Sequence, residues 1–284
     1  MQPQKRSIFH EPAVIVALIG LIGTIVTAIV APLIIRAVEK STATPVFPDS
    51  AAFTGTLVPL PTYTPISLIT PTATPTEEEQ ALQVLVDAKN WPLVFADPFD
   101  TNAYGWPEGE RTSESVTADL KIINGAYLWK IRANTNSAIN WVRPRIDPSQ
   151  DFYAGVRARR VNDQVDMNYA LTFRDQGNGN FYEFKLYMDQ HFVVRIYDKN
   201  KPADQGKSEI FTNQPTTRFR PEDANKLEVV GIGNDYWFFI NDQFVKHLNR
   251  TELSGGIIGL SLEIRLAGQE AQVEFDDFEL RKAP

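Results

Sequence analysis

The chain has 284 residues, carries a formal net charge of −7 at pH 7 and contains no cysteine. This length accommodates one or two domains. The acidic balance argues against a nucleic-acid partner, since phosphate contacts require clustered Lys and Arg. The lack of cysteine excludes disulfides, thiolate metal sites and Cys nucleophiles. His10, His191 and His247 lie far apart in the sequence and do not have the spacing of a zinc site.

An uninterrupted apolar run over residues 13–35 predicts a transmembrane helix. At about 1.5 Å per residue this run spans the roughly 30 Å hydrocarbon core of a bilayer. A cleaved signal peptide is the alternative, but its apolar region would be about 7–15 residues long. We therefore predict an uncleaved signal anchor after a short cytoplasmic tail, residues 1–12. Spaced small residues such as Gly20 and Thr24 leave open a weak self-association through this helix.

Residues 36–76 are predicted to be a disordered extracellular linker rich in Thr and Pro. From residue 41 to residue 76 the chain has no Lys or Arg and a single acid, Asp49. Such a segment cannot build a core and is typical of an extended tether. The depletion of positive charge favours translocation. We therefore predict a single-pass protein of the cell membrane whose C-terminal domain lies outside the cytoplasm.

A short helix and lead-in are predicted over residues 77–91. Thr76 and Glu79 have the spacing of a capping box, and acids at positions 77–79 lie where the helix dipole is positive. We predict the helix itself over about 77–89, either packed against the following domain or bridging into it.

The remaining chain, residues 92–284, alternates between short apolar segments and turn residues, which predicts strands. The clearest strand segments are 126–131, 152–159, 169–174, 181–188, 192–197, 226–232, 236–240, 257–262 and 271–280. Nine or more strands with no long amphipathic helix predict an all-β fold, a β-sandwich.

Alternation along three of these strands separates apolar from polar side chains. Even-numbered residues are apolar in 152–159, 182–188 and 192–197, so odd-numbered residues form an aromatic and cationic face. Sugars stack their C–H faces on aromatic rings while polar groups hold their hydroxyls. A solvated face with cross-strand ion pairs is the alternative. The ligand-binding residues that we predict are Arg157, Arg174, Glu183, Lys185, Tyr187, Arg195, Tyr197 and Trp237.

Six sequence blocks in order carry a resemblance to a known family. They are FADPFD (95–100), NGAY (124–127), FYEF (181–184), YWFFIN (236–241), GGIIGL (255–260) and VEFDDFEL (273–280). In this order they resemble the concanavalin A-like lectin/glucanase superfamily, and within it the laminin G-like and 3-keto-disaccharide hydrolase-like domains of bacterial surface proteins. The resemblance implies a jelly roll. It is a weak guide to function, because this fold hosts lectins, hydrolases and spacers.

The last block also matches the E-x-D-x-x-E spacing of laminarinase-type glycoside hydrolases, through Glu274, Asp276 and Glu279. The resemblance implies a nucleophile and an acid/base about 5–5.5 Å apart. The apolar phase shifts from odd to even positions here, which predicts a β-bulge near residues 276–277 and places the three carboxylates on one face. Asp277 stands where that family has an apolar residue, which weighs against catalysis.

Four aspartates predict a structural calcium site. Asp97 and Asp100 belong to the first strand, whereas Asp276 and Asp277 belong to the last. First and last strands are commonly neighbours in jelly rolls, and carboxylate oxygens suit Ca²⁺. The alternative is that these acids are solvated or cap turns. No other cofactor is predicted.

These features favour a membrane-anchored extracytoplasmic binding module for carbohydrate or cell-wall glycan, rather than an enzyme. A glycoside hydrolase acting on polysaccharide is the first alternative, and a structural or sensory ectodomain without a small ligand is the second. A deep cleft lined by a carboxylate pair would indicate the hydrolase. A shallow face with exposed rings would indicate the binding module.

Overall fold

The computed structural model describes residues 74–147, 149–162, 165–201, 207–212 and 216–284. The predicted cytoplasmic tail, the transmembrane helix and almost all of the linker lie outside these ranges and stay predictions. Within the described ranges, no helix is long and apolar enough to cross a bilayer.

The helix that precedes the sheets, α1, spans Glu77–Ala88, where the sequence predicts a helix over about 77–89. The predicted capping box is present. The Thr76 hydroxyl accepts a hydrogen bond from the Glu79 backbone N–H at 3.2 Å, and the Glu79 carboxylate accepts one from the Thr76 N–H at 2.8 Å. Two backbone donors at the start of the helix are thereby satisfied.

Fifteen antiparallel strands follow in the described residues. They are β1 (Leu93–Asp97), β2 (Gly109–Thr112), β3 (Val116–Ile123), β4 (Ala126–Ala133), β5 (Ala138–Val142), β6 (Phe152–Arg160), β7 (Met167–Asp175), β8 (Phe181–Tyr187), β9 (Phe192–Tyr197), β10 (Lys207–Thr212), β11 (Asn225–Ile232), β12 (Asp235–Ile240), β13 (Gln243–Asn249), β14 (Ile257–Ile264) and β15 (Glu270–Lys282). All nine strand segments that the sequence predicts are strands.

The strands form two sheets. The nine-stranded sheet has the order β13-β12-β11-β6-β15-β4-β3-β2, with β1 paired to β15, and the six-stranded sheet has the order β10-β9-β8-β7-β14-β5. The first and last strands are neighbours, as the sequence predicts, with Asp97 opposite Phe278.

The hydrophobic core lies between the sheets. Phe184 of the six-stranded sheet lies 5.1 Å from Phe238 of the nine-stranded sheet, and Tyr169 lies 6.5 Å from Phe275, measured between ring centroids. These four side chains are at most 1% exposed. The alternation of apolar residues has therefore directed one face of each sheet inward, as in a β-sandwich.

Helix α1 packs on the outer face of the nine-stranded sheet. Its Ala81 and Leu85 are buried against Tyr153 and Phe239. The C-terminal end of the helix also contacts this sheet, because Lys89 Nζ lies 2.9 Å from Glu228 and 2.5 Å from Asp242. Of the two arrangements that the sequence leaves open, packing against the domain is the one observed.

The Lys89–Asp242 pair predicts a pH-dependent contribution to stability. Desolvation raises the pKa of Asp242, but hydrogen bonds and attraction from Lys89 and Lys226 outweigh it and lower the pKa overall. A lowered folded-state pKa stabilises the fold above the unfolded pKa of about 4, and this stabilisation is lost as pH falls through the folded value. Because the Asp242 side chain is 60% exposed, we expect Asp242→Asn to cost less than about 1 kcal/mol at neutral pH.

The measurement is the melting temperature of wild type and Asp242→Asn from pH 7 to pH 3. The difference in melting temperature between the two proteins should be constant near neutral pH and should disappear below about pH 4. Asp147→Asn is the control, because Asp147 is exposed and has no ion pair in the described residues. A difference that persists at pH 3 would contradict the prediction.

Candidate functional site

The candidate site lies on the outer face of the six-stranded sheet, opposite the core. Cross-strand pairing places Glu183 of β8 opposite Arg195 of β9, and Asn168 of β7 opposite Glu263 of β14. These residues alternate with core residues such as Phe184, so all of them point away from the nine-stranded sheet.

Five of the predicted ligand-binding residues share this face, namely Glu183, Lys185, Tyr187, Arg195 and Tyr197. Three of them are far less exposed than residues of a solvated face, which is the alternative that the sequence leaves open. Glu183 and Lys185 are 0% exposed and Arg195 is 5% exposed. Buried charges persist only when they are paired and hydrogen-bonded, and the structure supplies that pairing.

Lys185 is the centre of a buried charge network. Its Nζ lies 2.6 Å from Glu263 Oε2 and 3.0 Å from Glu183 Oε2. The contact to Glu263 is a hydrogen bond, whereas the contact to Glu183 is an ion pair without hydrogen-bond geometry. The other Glu183 oxygen accepts a hydrogen bond from Ser261 Oγ at 2.6 Å. Two β8 side chains are therefore fixed to β14 across β7.

Arg195 extends the network toward the solvent. Its Nη1 lies 3.2 Å from Glu263 Oε2, and its Nη2 donates to Glu209 Oε1 at 2.8 Å and to the Tyr187 hydroxyl at 2.6 Å. Desolvation raises the pKa of Glu209, but hydrogen bonds from Arg195 and Thr212 outweigh it and lower the pKa, so this carboxylate is ionised at neutral pH.

The Tyr187 phenol is protonated at neutral pH. Burial raises the pKa of the Tyr187 phenol to about 12. The oxygen already accepts a hydrogen bond from Arg195. At neutral pH the O–H therefore remains a donor.

A cleft of about 410 Å³ opens beside this network. It is lined by Ser137, Asn168, Tyr187, Asp189, His191, Val193, Arg195, Glu209, Thr212, Glu263 and Arg265. Asn168 is 1% exposed, and neither its amide nitrogen nor its amide oxygen has a hydrogen-bond partner in the described residues. An unpaired buried polar group costs about 1–3 kcal/mol. The amide of Asn168 is thus an unsatisfied donor and acceptor in the wall of the cleft.

Aromatic rings occupy the other end of the same face. Phe181 stacks on Tyr197 with 4.5 Å between ring centroids, and Trp141 of β5 lies 6.0 Å from Phe181. Trp141 is on this face because it pairs with Ser261, and it is 47% exposed. An exposed indole beside stacked rings offers a platform for the apolar side of a sugar.

Asn168, Glu263 and Trp141 are not among the ligand-binding residues that the sequence predicts. The predicted strands end one residue short of Asn168 and Glu263, although both continue the two-residue alternation of β7 and β14. Extending that alternation would have found them. Trp141 lies in β5, which is not among the nine predicted strand segments.

Arg174 is a structural residue in this fold. It is 1% exposed, and its guanidinium donates to the Tyr236 hydroxyl at 2.9 Å, to Ser149 O at 3.1 Å and to Gly233 O at 3.0 Å. It also donates to Gln150 O. These contacts connect the ends of both sheets and leave no access for a ligand, which corrects the expectation that Arg174 is presented on a binding face.

Arg157 and Trp237 lie on the nine-stranded sheet, away from the cleft. Arg157 pairs with Asp277 at 3.2 Å. Trp237 stacks on His247 at 4.7 Å between centroids and packs beside α1. The structure therefore divides the predicted ligand-binding residues between two sheets.

The carboxylates of the E-x-D-x-x-E spacing share one face, as predicted. Pairing shifts between Asp276 and Glu279, and Asp277 has a φ of 48°, so the predicted bulge is present. This face is the outer face of the nine-stranded sheet. There Glu274 pairs with Arg159 at 2.5 Å, and Glu279 pairs with Arg281. The trio is on the opposite side of the sandwich from the cleft.

The four aspartates of the predicted calcium site are not assembled around a common point. Asp97 accepts hydrogen bonds from the Phe99 N–H at 2.9 Å and from Trp106 Nε1 at 2.8 Å. Burial raises the pKa of Asp97 despite these bonds. Asp277 pairs with Arg157. In the described part of the chain, no group of three or more Asp, Glu, His or Cys residues is placed to hold a metal ion.

Comparison with known proteins identifies the fold. No family model matches the sequence, and no curated protein matches it. Several solved structures do match. A structure from a study of endo-acting O-glycanases of the human gut microbiota has a TM-score of 0.52 at 10% identity, covering 68% of this chain and 100% of that chain.

Two further structures have a TM-score of 0.50 at 10% identity. One is the laminarinase catalytic domain of Thermotoga maritima, with 68% of this chain and 99% of that chain covered. The other is the β-glucanase of Bacillus licheniformis, with 66% and 97% covered. Identities this low establish the fold and not the activity. The described domain therefore has the two-sheet β-sandwich fold of these structures.

Proposed function

We propose that this domain is a carbohydrate-binding module, held outside the cytoplasm by the predicted membrane anchor at residues 13–35. The observation that carries the proposal is the polar cleft on the six-stranded sheet, where Asn168 is buried with both amide atoms unpaired. The anchor rests on the sequence alone and is part of the proposal.

The chemistry of the cleft suits sugar hydroxyls, which both donate and accept hydrogen bonds. Asn168 offers one donor group and one acceptor, Tyr187 offers a donor, and Glu209 offers a carboxylate acceptor. Hydrogen bonds from Arg195 hold Tyr187 and Glu209 in position, so these two side chains lose little conformational freedom on binding. A volume of about 410 Å³ lies within the roughly 300–1,000 Å³ typical of small-ligand sites.

Binding is favoured over glycoside hydrolysis by the state of the carboxylates. A glycosidase requires a carboxylic acid that is protonated when it meets the substrate. Arg195 lowers the pKa of Glu209 in the cleft, which is the opposite of what a general acid needs. Glu274 and Glu279 are ion-paired on the other sheet.

The proposal predicts that Asn168→Leu separates binding from stability. We expect affinity for the bound glycan to fall by about ten- to hundredfold, because two hydrogen bonds of about 1 kcal/mol or more are lost. The melting temperature should stay constant or rise, since an unpaired buried amide is removed. The measurement is glycan-array screening of the full chain in a detergent without a sugar head group, followed by titration calorimetry.

Asn249→Leu on the nine-stranded sheet is the control, because Asn249 is exposed there and bonded to Asp235 at 2.9 Å. It should leave affinity unchanged. If no glycan is bound, or if Asn168→Leu binds as tightly as the wild type, the cleft is not a carbohydrate site.

A further inference from the structure

A second groove, of about 1200 Å³, lies at the side of the sandwich where both sheets end. Strand β2 is the last strand of the nine-stranded sheet, and β5 is the last strand of the six-stranded sheet. Arg111 of β2, Trp141 of β5, and Arg143 and Arg145 after β5 line this groove. It is large enough for several sugar rings, since single small-ligand sites occupy roughly 300–1,000 Å³.

Arg111 carries a partly buried charge that no carboxylate balances in the described residues. Its Nη2 donates to the neutral amide oxygen of Asn140 at 2.9 Å, and its buried Nε has no partner. Burial lowers the pKa of Arg111, and no nearby carboxylate opposes this effect. A guanidinium in this state interacts strongly with any anion that reaches it, because it has lost water without gaining a counter-charge.

Arg145 supplies a second cation without an ion pair within the described ranges. Its side chain crosses Gly105, where an added Cβ would come within 3.0 Å of Arg145 Cδ. Gly105 has a φ of +66°, so both its backbone conformation and the lack of a side chain keep this path open. Arg143 is different, because it pairs with Asp175 at 3.2 Å.

The groove also offers acceptors for hydroxyl groups. Glu108 accepts hydrogen bonds from Asn102 Nδ2 at 2.7 Å and from the Ile122 N–H at 3.0 Å, and from no arginine in the part of the chain described. Asp147 is exposed at the rim. Unpaired guanidinium groups, carboxylate acceptors and an exposed indole together match a ligand that has a ring, hydroxyls and an anionic substituent.

We propose that this groove binds an anionic oligosaccharide, whose carboxylate or sulfate pairs with Arg111 and Arg145 and whose ring stacks on Trp141. This is a second binding site, separate from the cleft around Asn168. The two sites lie on different parts of the sandwich, so one can fail while the other holds.

The test titrates the full chain in neutral-lipid nanodiscs with three probes: an oligogalacturonate, its fully methyl-esterified form and a sulfated galactan oligosaccharide. We expect the anionic probes to bind more tightly than the neutral ester and to weaken as salt rises. Arg111→Gln should lower anionic affinity by about ten- to hundredfold. Preference for the oligogalacturonate or for the sulfated probe identifies which anion the groove recognises.

Trp141→Ala and Arg145→Gln probe the same groove at exposed positions, so they report on it even if Arg111→Gln does not fold. Asn168→Leu should leave binding of the anionic probes intact. Equal binding of the charged probes and the ester would overturn the inference, as would anionic binding that survives all three groove variants. So would binding of neither anionic probe. If Asn168→Leu loses binding of every probe while the groove variants keep it, the second site is overturned and the cleft is supported.

Discussion

Replacing Lys185 by Met is expected to destabilise the domain by about 3–5 kcal/mol, the cost of breaking a buried ion pair by removing one partner. Lys185 is 0% exposed, and its ammonium lies between Glu183 and Glu263. Without Lys185, the carboxylates of Glu183 and Glu263 remain buried and lack one of the cations that balance their charge. For a domain of this size the melting temperature should fall by roughly 10 °C.

Arg159→Met is the matched control, because it removes a cation from an ion pair at the surface. Arg159 lies 2.5 Å from Glu274, and its side chain is 53% exposed. We expect a loss below about 1 kcal/mol. The double variant Lys185→Met/Glu183→Gln should recover part of the loss, since one uncompensated charge is removed. Equal losses in Lys185→Met and Arg159→Met, measured by denaturant unfolding, would contradict the role of the buried network.

Replacing Arg174 by Met is expected to cost roughly 4 kcal/mol, because each buried group left unpaired costs about 1–3 kcal/mol. The guanidinium holds carbonyl groups of Ser149 and Gly233 and the hydroxyl of Tyr236. It also lies 5.2 Å from the ring centroid of Phe152. Arg174→Lys should recover little of the loss, because an ammonium cannot reproduce the planar set of donors.

Arg157→Met provides the comparison, since Arg157 pairs with Asp277 on the surface and its side chain is 57% exposed. Its cost should be below about 1 kcal/mol. Arg174→Met should also leave glycan affinity per folded molecule unchanged, because Arg174 does not line the cleft. A variant at Arg174 that unfolds like the wild type but binds glycan less tightly would restore the ligand-binding role that the sequence predicted.

The features that the sequence predicted correctly are those whose physical cause lies among neighbouring residues. The capping box needs only the chemistry of Thr76 and Glu79 and their spacing. The bulge at Asp277 follows from a phase shift within one strand. In strands with strict alternation, such as β8 and β9, the sequence indicates which side chains point into the core, because successive side chains point to opposite faces of a strand.

The candidate site depended on information that alternation does not contain. The pattern predicts that Arg157 and Lys185 face away from the core, but it does not assign them to a sheet. Strand pairing does so, and it puts Arg157 on β6 in the nine-stranded sheet and Lys185 on β8 in the six-stranded sheet. Trp141 was missed for a related reason, since β5 has five residues and its alternation is too short to stand out.

From its sequence alone, this protein was predicted to have a membrane anchor, a linker and an antiparallel sandwich with an inward apolar face, because composition and periodicity are properties of neighbouring residues. The tertiary structure decided which polar residues meet. It joined Lys185 to Glu263 and placed Asn168 at a cleft, although these residues come from different strands. It also showed that Glu183, Lys185 and Arg195 of the predicted binding face belong to a buried charge network, since burial depends on contacts between segments distant in the chain.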